Sequence, residues 1–110
     1  MKSKKIKIKL YLSTVEVVYS KNLNDIADKY NLIDLTGYNA TTFRHKGRYV
    51  VCFNSFDAST ITHEATHIKN FIFQDCGQGL DLVNDEAEAY LMGFLVKEIS
   101  KTLKKLIKNE

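Results

Sequence analysis

Apolar and polar residues alternate near the start of the chain, and the spacing then changes. Four apolar residues alternate with lysines and a tyrosine, namely Ile6, Ile8, Leu10 and Leu12. This period of two predicts a half-buried strand. The segment from Ser13 to Glu16 has the form of a helix capping box, and the apolar spacing after it predicts a helix over about residues 14–30. Its valines would also suit a continued strand.

The middle of the chain predicts a hairpin followed by a helix. Residues 40–45 and 48–53 have the composition of two strands, and Gly47 supplies the positive φ of the tight turn that joins them. After a break at Asn54–Asp57, a helix is predicted from about 57 to 74. Its buried stripe consists of Ile61, Ala65, Ile68 and Ile72.

A glycine-containing turn over residues 74–83 precedes the last predicted helix, which begins at Asn84 or Asp85 and ends at about residue 107. Acidic residues in its first turn and lysines in its last turns suit the helix dipole. The predicted order is β-α-β-β-α-α over a single domain, residues 1–110. We therefore expect an α+β fold in which a small, antiparallel-containing sheet packs on the last two helices.

Composition and cysteine content narrow the class of protein. The 110 residues are 45% hydrophobic and 26% charged, values typical of one folded domain. Cys52 and Cys76 form no C-x-x-C unit, which favours a reducing compartment. No apolar segment has the form of a signal peptide or the length of a membrane span. We expect a cytoplasmic protein with no membrane partner.

The net charge of +3 conceals an uneven distribution. Residues 1–9 and 97–110 carry five lysines each against two glutamates, whereas residues 10–96 have six basic and eleven acidic side chains. Basic ends can hold a nucleic-acid backbone or an acidic surface. The simpler interpretation, which we favour, is that they are solvated faces of a strand and a helix.

The sequence His63-Glu64-Ala65-Thr66-His67 is an H-E-x-x-H motif on the predicted helix 57–74. Imidazoles at i and i+4 project side by side and can share one cation, while Glu64 can reach a water held by that metal. Zinc lowers the pKa of such a water to about 7, and Glu64 then acts as general base and acid. The plainer alternative is two surface histidines and a glutamate on an amphipathic helix.

A catalytic zinc site needs a third protein ligand. No histidine follows His67, and the one remaining histidine, His45, lies upstream on the hairpin. The downstream candidates are the carboxylates of Asp75, Asp81, Asp85, Glu86 and Glu88. Glu86 lies 19 residues after His67, in the first turn of the last helix, which can return beside the histidines. Glu88 is the alternative and points about 200° around that helix, so only one of the two can face the metal. Both could also be plain first-turn acids.

The H-E-x-x-H motif followed by N-x-E-x-x-A-Y resembles the gluzincins, zincins in which a glutamate on the next helix completes the zinc site. Within these it is similar to small phage-encoded metallopeptidases, over residues 36–96. The matching pieces are Ala40-Thr41, Lys46-Gly47, His63 to His67, and Glu86 to Tyr90. The resemblance implies a minimal zincin-like fold, zinc as the cofactor and location in the host cytoplasm. Well-studied gluzincins have an aspartate where this chain has Tyr90.

The leading hypothesis is hydrolysis of a peptide or protein substrate with one zinc ion per chain. The substrate would lie along an exposed edge strand, with 40–45 and 48–53 as the candidates. Tyr90 is a candidate donor to the oxyanion, as are Arg44 and His45, although Tyr90 also suits a core position. The alternatives are a catalytically silent zinc-binding interaction module and, less favoured, a nucleic-acid-binding protein that uses the basic ends.

Overall fold

In the computed structural model, which describes residues 1–109, four strands form one mixed sheet. The strands are β1 (Lys2–Ile8), β2 (Ser13–Tyr19), β3 (Ala40–His45) and β4 (Arg48–Phe53), and the helices are α1 (Leu23–Tyr30), α2 (Ala58–Cys76) and α3 (Glu86–Lys108). The order across the sheet is β1-β2-β4-β3, in which β2 and β4 are parallel and the outer pairs antiparallel. The α+β class is therefore confirmed.

The predicted helix over residues 14–30 is wrong in its first half, because Ser13–Tyr19 is the strand β2. The observed order is β-β-α-β-β-α-α. Helix α1 begins only at Leu23, where the Asn22 side chain accepts the backbone N–H of Asn24 at 3.0 Å. Ser13 instead donates its hydroxyl to the carbonyl of Tyr11, 2.9 Å away, after a short 3-10 turn. The apparent capping box is therefore the start of β2, and only the Ser13 hydroxyl bonds back to the preceding turn.

Helices cover both faces of the sheet, which explains why its central strands are apolar at almost every position. One face packs against α2 and α3 and is formed by Val15, Val17, Tyr19, Tyr49, Val51 and Phe53. The other face packs against α1 and is formed by Val18, Val50 and Cys52. Burial raises the pKa of the Cys52 thiol to about 12, while Cys76 is exposed at the end of α2. None of the helices within residues 1–109 has a stretch long and apolar enough to cross a bilayer.

The ends of α2 are defined by side-chain and backbone chemistry. Asp57 caps the first turn and accepts both the backbone N–H of Thr60, at 3.2 Å, and its hydroxyl, at 2.6 Å. The helix ends at Gly77, whose φ of +74° is the left-handed conformation that glycine tolerates best. The predictions for the hairpin, for α2 and for α3 are confirmed to within two residues at each end.

A mostly buried ion pair links the two parallel strands at the centre of the sheet. Arg48 Nε of β4 lies 2.9 Å from Glu16 Oε1 of β2, and the Tyr30 hydroxyl donates to the same oxygen at 3.3 Å. Burial alone would raise the pKa of Glu16, but hydrogen bonds from Arg48, Ser3 and Tyr30 and the charge of Arg48 outweigh it. The net effect is a lowered pKa.

We expect Arg48→Ala to reduce the free energy of unfolding by about 2 kcal/mol at neutral pH, because it leaves the Glu16 carboxylate buried without its strongest donor. Since the pKa of Glu16 is lower in the folded state, its stabilisation is present above the unfolded value and is lost as the pH falls through the folded value. Urea denaturation at neutral and acidic pH measures both effects. Lys97→Ala, an exposed position of α3, is the control, and an equal loss for Arg48→Ala in acid would contradict the account.

Candidate metal and catalytic site

His63 and His67 lie on the exposed side of α2, one turn apart, because the buried stripe of the helix occupies its opposite side. Their Nε2 atoms are 3.2 Å apart, and the ring centroids are separated by 4.9 Å at an angle of 74°. The His63 side chain is 69% exposed. The two imidazoles therefore converge on one point that solvent can reach.

The separation of the two nitrogens is a test of whether a metal fits. In a tetrahedral zinc site with Zn–N bonds of about 2.0–2.1 Å, two imidazole nitrogens lie about 3.4 Å apart. The observed Nε2–Nε2 distance of 3.2 Å is close to that value. The same distance also suits a hydrogen bond between one protonated and one unprotonated ring nitrogen. The pair thus fits a shared cation or a shared proton.

The Glu64 carboxylate is buried and fixed from the neighbouring strand. Its Oε1 accepts the hydroxyl of Thr42 on β3 at 2.6 Å, and its Oε2 lies 3.9 Å from His63 Nε2. One oxygen is therefore held by the sheet, and the other lies beside the histidine pair. This arrangement positions a proton acceptor next to the point where the imidazoles converge.

Thr42 is a site residue that the sequence reasoning missed. The period of two in β3 puts Ala40, Thr42 and Arg44 on the face that packs against α2, where Arg44 contacts Gln74 and Asp75. The strand itself was predicted, so the sequence already indicated which of its side chains share a face. Its position beside α2, and hence the Thr42–Glu64 contact, depends on long-range packing.

A cleft of about 390 Å³ opens beside the motif between the start of β3 and the first turns of α2. Its lining consists of Asn39, Ala40, Ser59, Thr60, His63 and Glu64. β3 is an edge strand, as the substrate hypothesis requires of residues 40–45. The other candidate, residues 48–53, is wrong as an edge, because β4 pairs with β2 on one side and β3 on the other.

The structure does not bring the predicted third ligand to the histidines. Within residues 1–109, no group of three or more His, Cys, Asp or Glu side chains is placed to hold a metal ion. Glu88 Oε2 lies 2.6 Å from Nζ of the buried Lys69 of α2, so this carboxylate already has a cationic partner. Glu86 is exposed in the first turn of α3 and makes no side-chain hydrogen bond or ion pair with any described residue.

The three candidate oxyanion donors lie elsewhere. The interpretation of Tyr90 as a core residue is wrong, since it is 77% exposed, and it lines a groove along β1 rather than the cleft at His63. Arg44 is held by both carboxylate oxygens of Asp75, at 2.9 and 3.1 Å, on the exposed surface. The His45 ring packs edge-on against Tyr30 at 4.8 Å, on the α1 side of the sheet.

The Asp75 carboxylate is well supplied with donors at the far end of α2 from His63. Hydrogen bonds from Arg44 and from the Tyr49 hydroxyl lower the pKa of Asp75 despite a small opposing effect of burial. Burial and the bond to Asp75 together raise the pKa of Tyr49 to about 12. Asp75 is therefore a structural acceptor that joins α2 to β3 and β4.

Comparison with known proteins found no matching family model, no similar curated protein and no similar solved structure.

We expect Thr42→Val to lower the free energy of unfolding by about 1–3 kcal/mol, because the buried Glu64 carboxylate loses the hydroxyl that donates to it. Thr41→Val is the matched control, since Thr41 lies on the opposite face of β3 beside Leu35 and Phe43. Urea denaturation gives both values. The loss should shrink when Thr42→Val is made in a Glu64→Gln background, and an undiminished loss there would show that Thr42 acts independently of Glu64.

Proposed function

We propose that this chain is a zinc-dependent peptide hydrolase of the zincin type, in which His63 and His67 hold the metal and Glu64 moves the proton. The observation that carries the proposal is the convergence of the two Nε2 atoms, 3.2 Å apart, on an exposed helix face beside a buried carboxylate. Burial of a carboxylate costs free energy unless it is hydrogen-bonded, and the Thr42 hydroxyl holds the buried Glu64 carboxylate beside the histidine pair.

Glu86 is proposed as the third ligand. The support is its spacing of 19 residues from His67 and the engagement of its rival Glu88 by Lys69. Glu88 faces α2 through Lys69, and Glu86 points about 200° around α3 from Glu88, so this ligation requires the first turn of α3 to turn Glu86 toward the histidines. Two imidazoles and a carboxylate form a donor set that zinc binds well and that leaves a fourth position for substrate or water.

A zinc ion bound there would supply an activated water and polarise the substrate carbonyl. The chain's own contribution is the proton transfer. Glu64 accepts a proton as the water oxygen bonds to the carbonyl carbon, and it returns that proton to the nitrogen as the C–N bond breaks. Because the Thr42 hydroxyl holds Oε1, the transfer falls to Oε2, the oxygen nearer His63.

The substrate is proposed to be an extended peptide that pairs with the free edge of β3 and passes over the cleft beside His63 and Glu64. Main-chain hydrogen bonds to an edge strand bind peptides with little dependence on sequence, and side-chain pockets add selectivity. Asn39 lines the cleft where the scissile carbonyl would lie, and its amide N–H is the proposed donor to the oxyanion.

We expect the purified protein to bind about one zinc ion per chain and His63→Ala or His67→Ala to abolish that binding, as measured by elemental analysis and calorimetric titration. His45→Ala is the matched control, since its ring packs against Tyr30 away from α2. Glu86→Gln should weaken zinc binding, whereas Glu88→Gln should chiefly destabilise the fold through the loss of its contact with Lys69. Equal zinc content in all the histidine variants would refute the site.

We expect Glu64→Gln to retain zinc and to lose peptide cleavage by a factor of about 100 or more, the usual contribution of a general base. Cleavage of a quenched fluorescent peptide library, with zinc content measured on the same samples, tests this. Zinc binding by the wild-type chain without cleavage of any peptide would instead identify a catalytically silent zinc-binding interaction module.

A further inference from the structure

The fold brings the two lysine-rich ends of the chain together. β1 is an edge strand, and a groove of about 740 Å³ runs along it beside α3. The charged residues that line this β1 groove are Lys4, Lys5, Lys7, Lys9, Lys101 and Lys105 against the single Glu98. The charge asymmetry of the sequence therefore becomes one basic rim at the edge of the sheet.

The interior of the β1 groove is apolar. Ile6, Ile8, Leu91 and Phe94 line it, with the largely exposed Tyr90 on its wall and Leu10 at one end. An apolar surface that is rimmed by charged residues has the form of many protein interaction sites. A binding partner that complements both the apolar walls and the lysine rim must carry apolar side chains and negative charge.

The loop that precedes α3 has this complementary character. Leu80, Leu82 and Val83 are exposed, Leu82 at 93% and Val83 at 97%. Asp81 Oδ1 accepts the backbone N–H groups of Val83 and Asn84 at 3.0 and 3.1 Å, which shapes the turn that presents these side chains. Residues 70–96 contain five acidic residues and no lysine or arginine. We call residues 80–85 the acidic loop.

We propose that two copies of this chain associate, with the acidic loop of each seated in the β1 groove of the other. The acidic loop leads directly into α3, whose Ala87 and Tyr90 line the groove, so the two halves of the interface adjoin. A two-fold axis at the start of α3 would therefore form both contacts at once, as an isologous dimer requires. The proposal does not depend on the zinc site, whose histidine pair lies on α2 toward the opposite edge of the sheet, although the proposed ligand Glu86 adjoins the acidic loop.

This arrangement also covers the surfaces that a lone chain leaves exposed. The aliphatic side chains of the acidic loop leave water, and the free edge of β1 is shielded from uncontrolled strand pairing. The lysine rim attracts Asp81 and Asp85 of the other copy. Contact between the two acidic loops would instead bring like charges together, so loop-to-groove pairing is favoured.

Sedimentation velocity of the full chain over a concentration series tests the proposal, with a monomer–dimer equilibrium as the expected result. The loop variant Leu82→Ser with Val83→Ser, and the groove variant Lys101→Glu with Lys105→Glu, should each raise the dimer Kd about tenfold or more. These positions are exposed, so circular dichroism should show an unchanged fold. The matched controls are Ile33→Ser, at a 74% exposed aliphatic, and Lys97→Glu with Lys108→Glu, which lie on α3 outside the groove.

Mixing the loop variant with the groove variant distinguishes this interface from others. The mixed dimer keeps one intact contact, an unaltered acidic loop in an unaltered groove, so the mixture should associate more strongly than either variant alone. A wild-type chain that stays monomeric throughout, controls that weaken association as much as the variants, or a mixture no tighter than its components would each overturn the proposal. A monomer that binds a single-stranded oligonucleotide through Lys101 and Lys105 would overturn it in favour of a nucleic-acid groove.

Discussion

β2 lies in the interior of the sheet and pairs in parallel with β4, and the rest of the molecule depends on that pairing. Parallel neighbours need a crossover connection, and α1 occupies one face of the sheet as part of that connection. α2 and α3 must then cover the other face, so α2 lies beside β3 and α3 beside β1. The ion pair between Glu16 and Arg48 joins the two parallel strands on the face that α1 covers.

The two edges of the sheet consequently have different surroundings. Beside β3, the first turns of α2 carry the histidine pair, and Thr42 reaches the buried Glu64. Beside β1, the lysines of both chain ends surround an apolar groove. The two proposals therefore use opposite edges of the sheet: a substrate strand would pair with β3, and a second copy of the chain would occupy the groove beside β1.

Features that depend on neighbours in the chain were predictable, and features that depend on distant packing were not. The hairpin follows from Gly47, and α2 follows from Asp57, Gly77 and an apolar stripe, all within one segment. The histidine pair is fixed by the pitch of a single helix. β2 was misassigned as a helix because Val15, Val18 and Tyr19 recur at helical spacing. A strand that is buried on both faces buries these same residues, so the apolar pattern does not distinguish the two structures.

The same distinction explains why only part of the candidate site was predictable from the sequence. Glu64 was assigned from the motif, yet its donor Thr42 becomes its neighbour only when β3 docks beside α2. The pairing of Glu88 with Lys69, which leaves Glu86 as the candidate ligand, likewise depends on the burial of Lys69, and no local pattern reveals that burial. Local spacing thus identifies the candidate ligands, and tertiary contacts decide which of them are already engaged.

The two cysteines differ in a way that has a practical consequence. Cys52 is sealed within the sheet with a pKa of about 12, so almost none of it is thiolate at neutral pH. Cys76 is exposed at the opposite end of α2 from the histidines. A maleimide dye or spin label should therefore attach at Cys76 alone, which provides a reporter on the native sequence that leaves the cleft untouched.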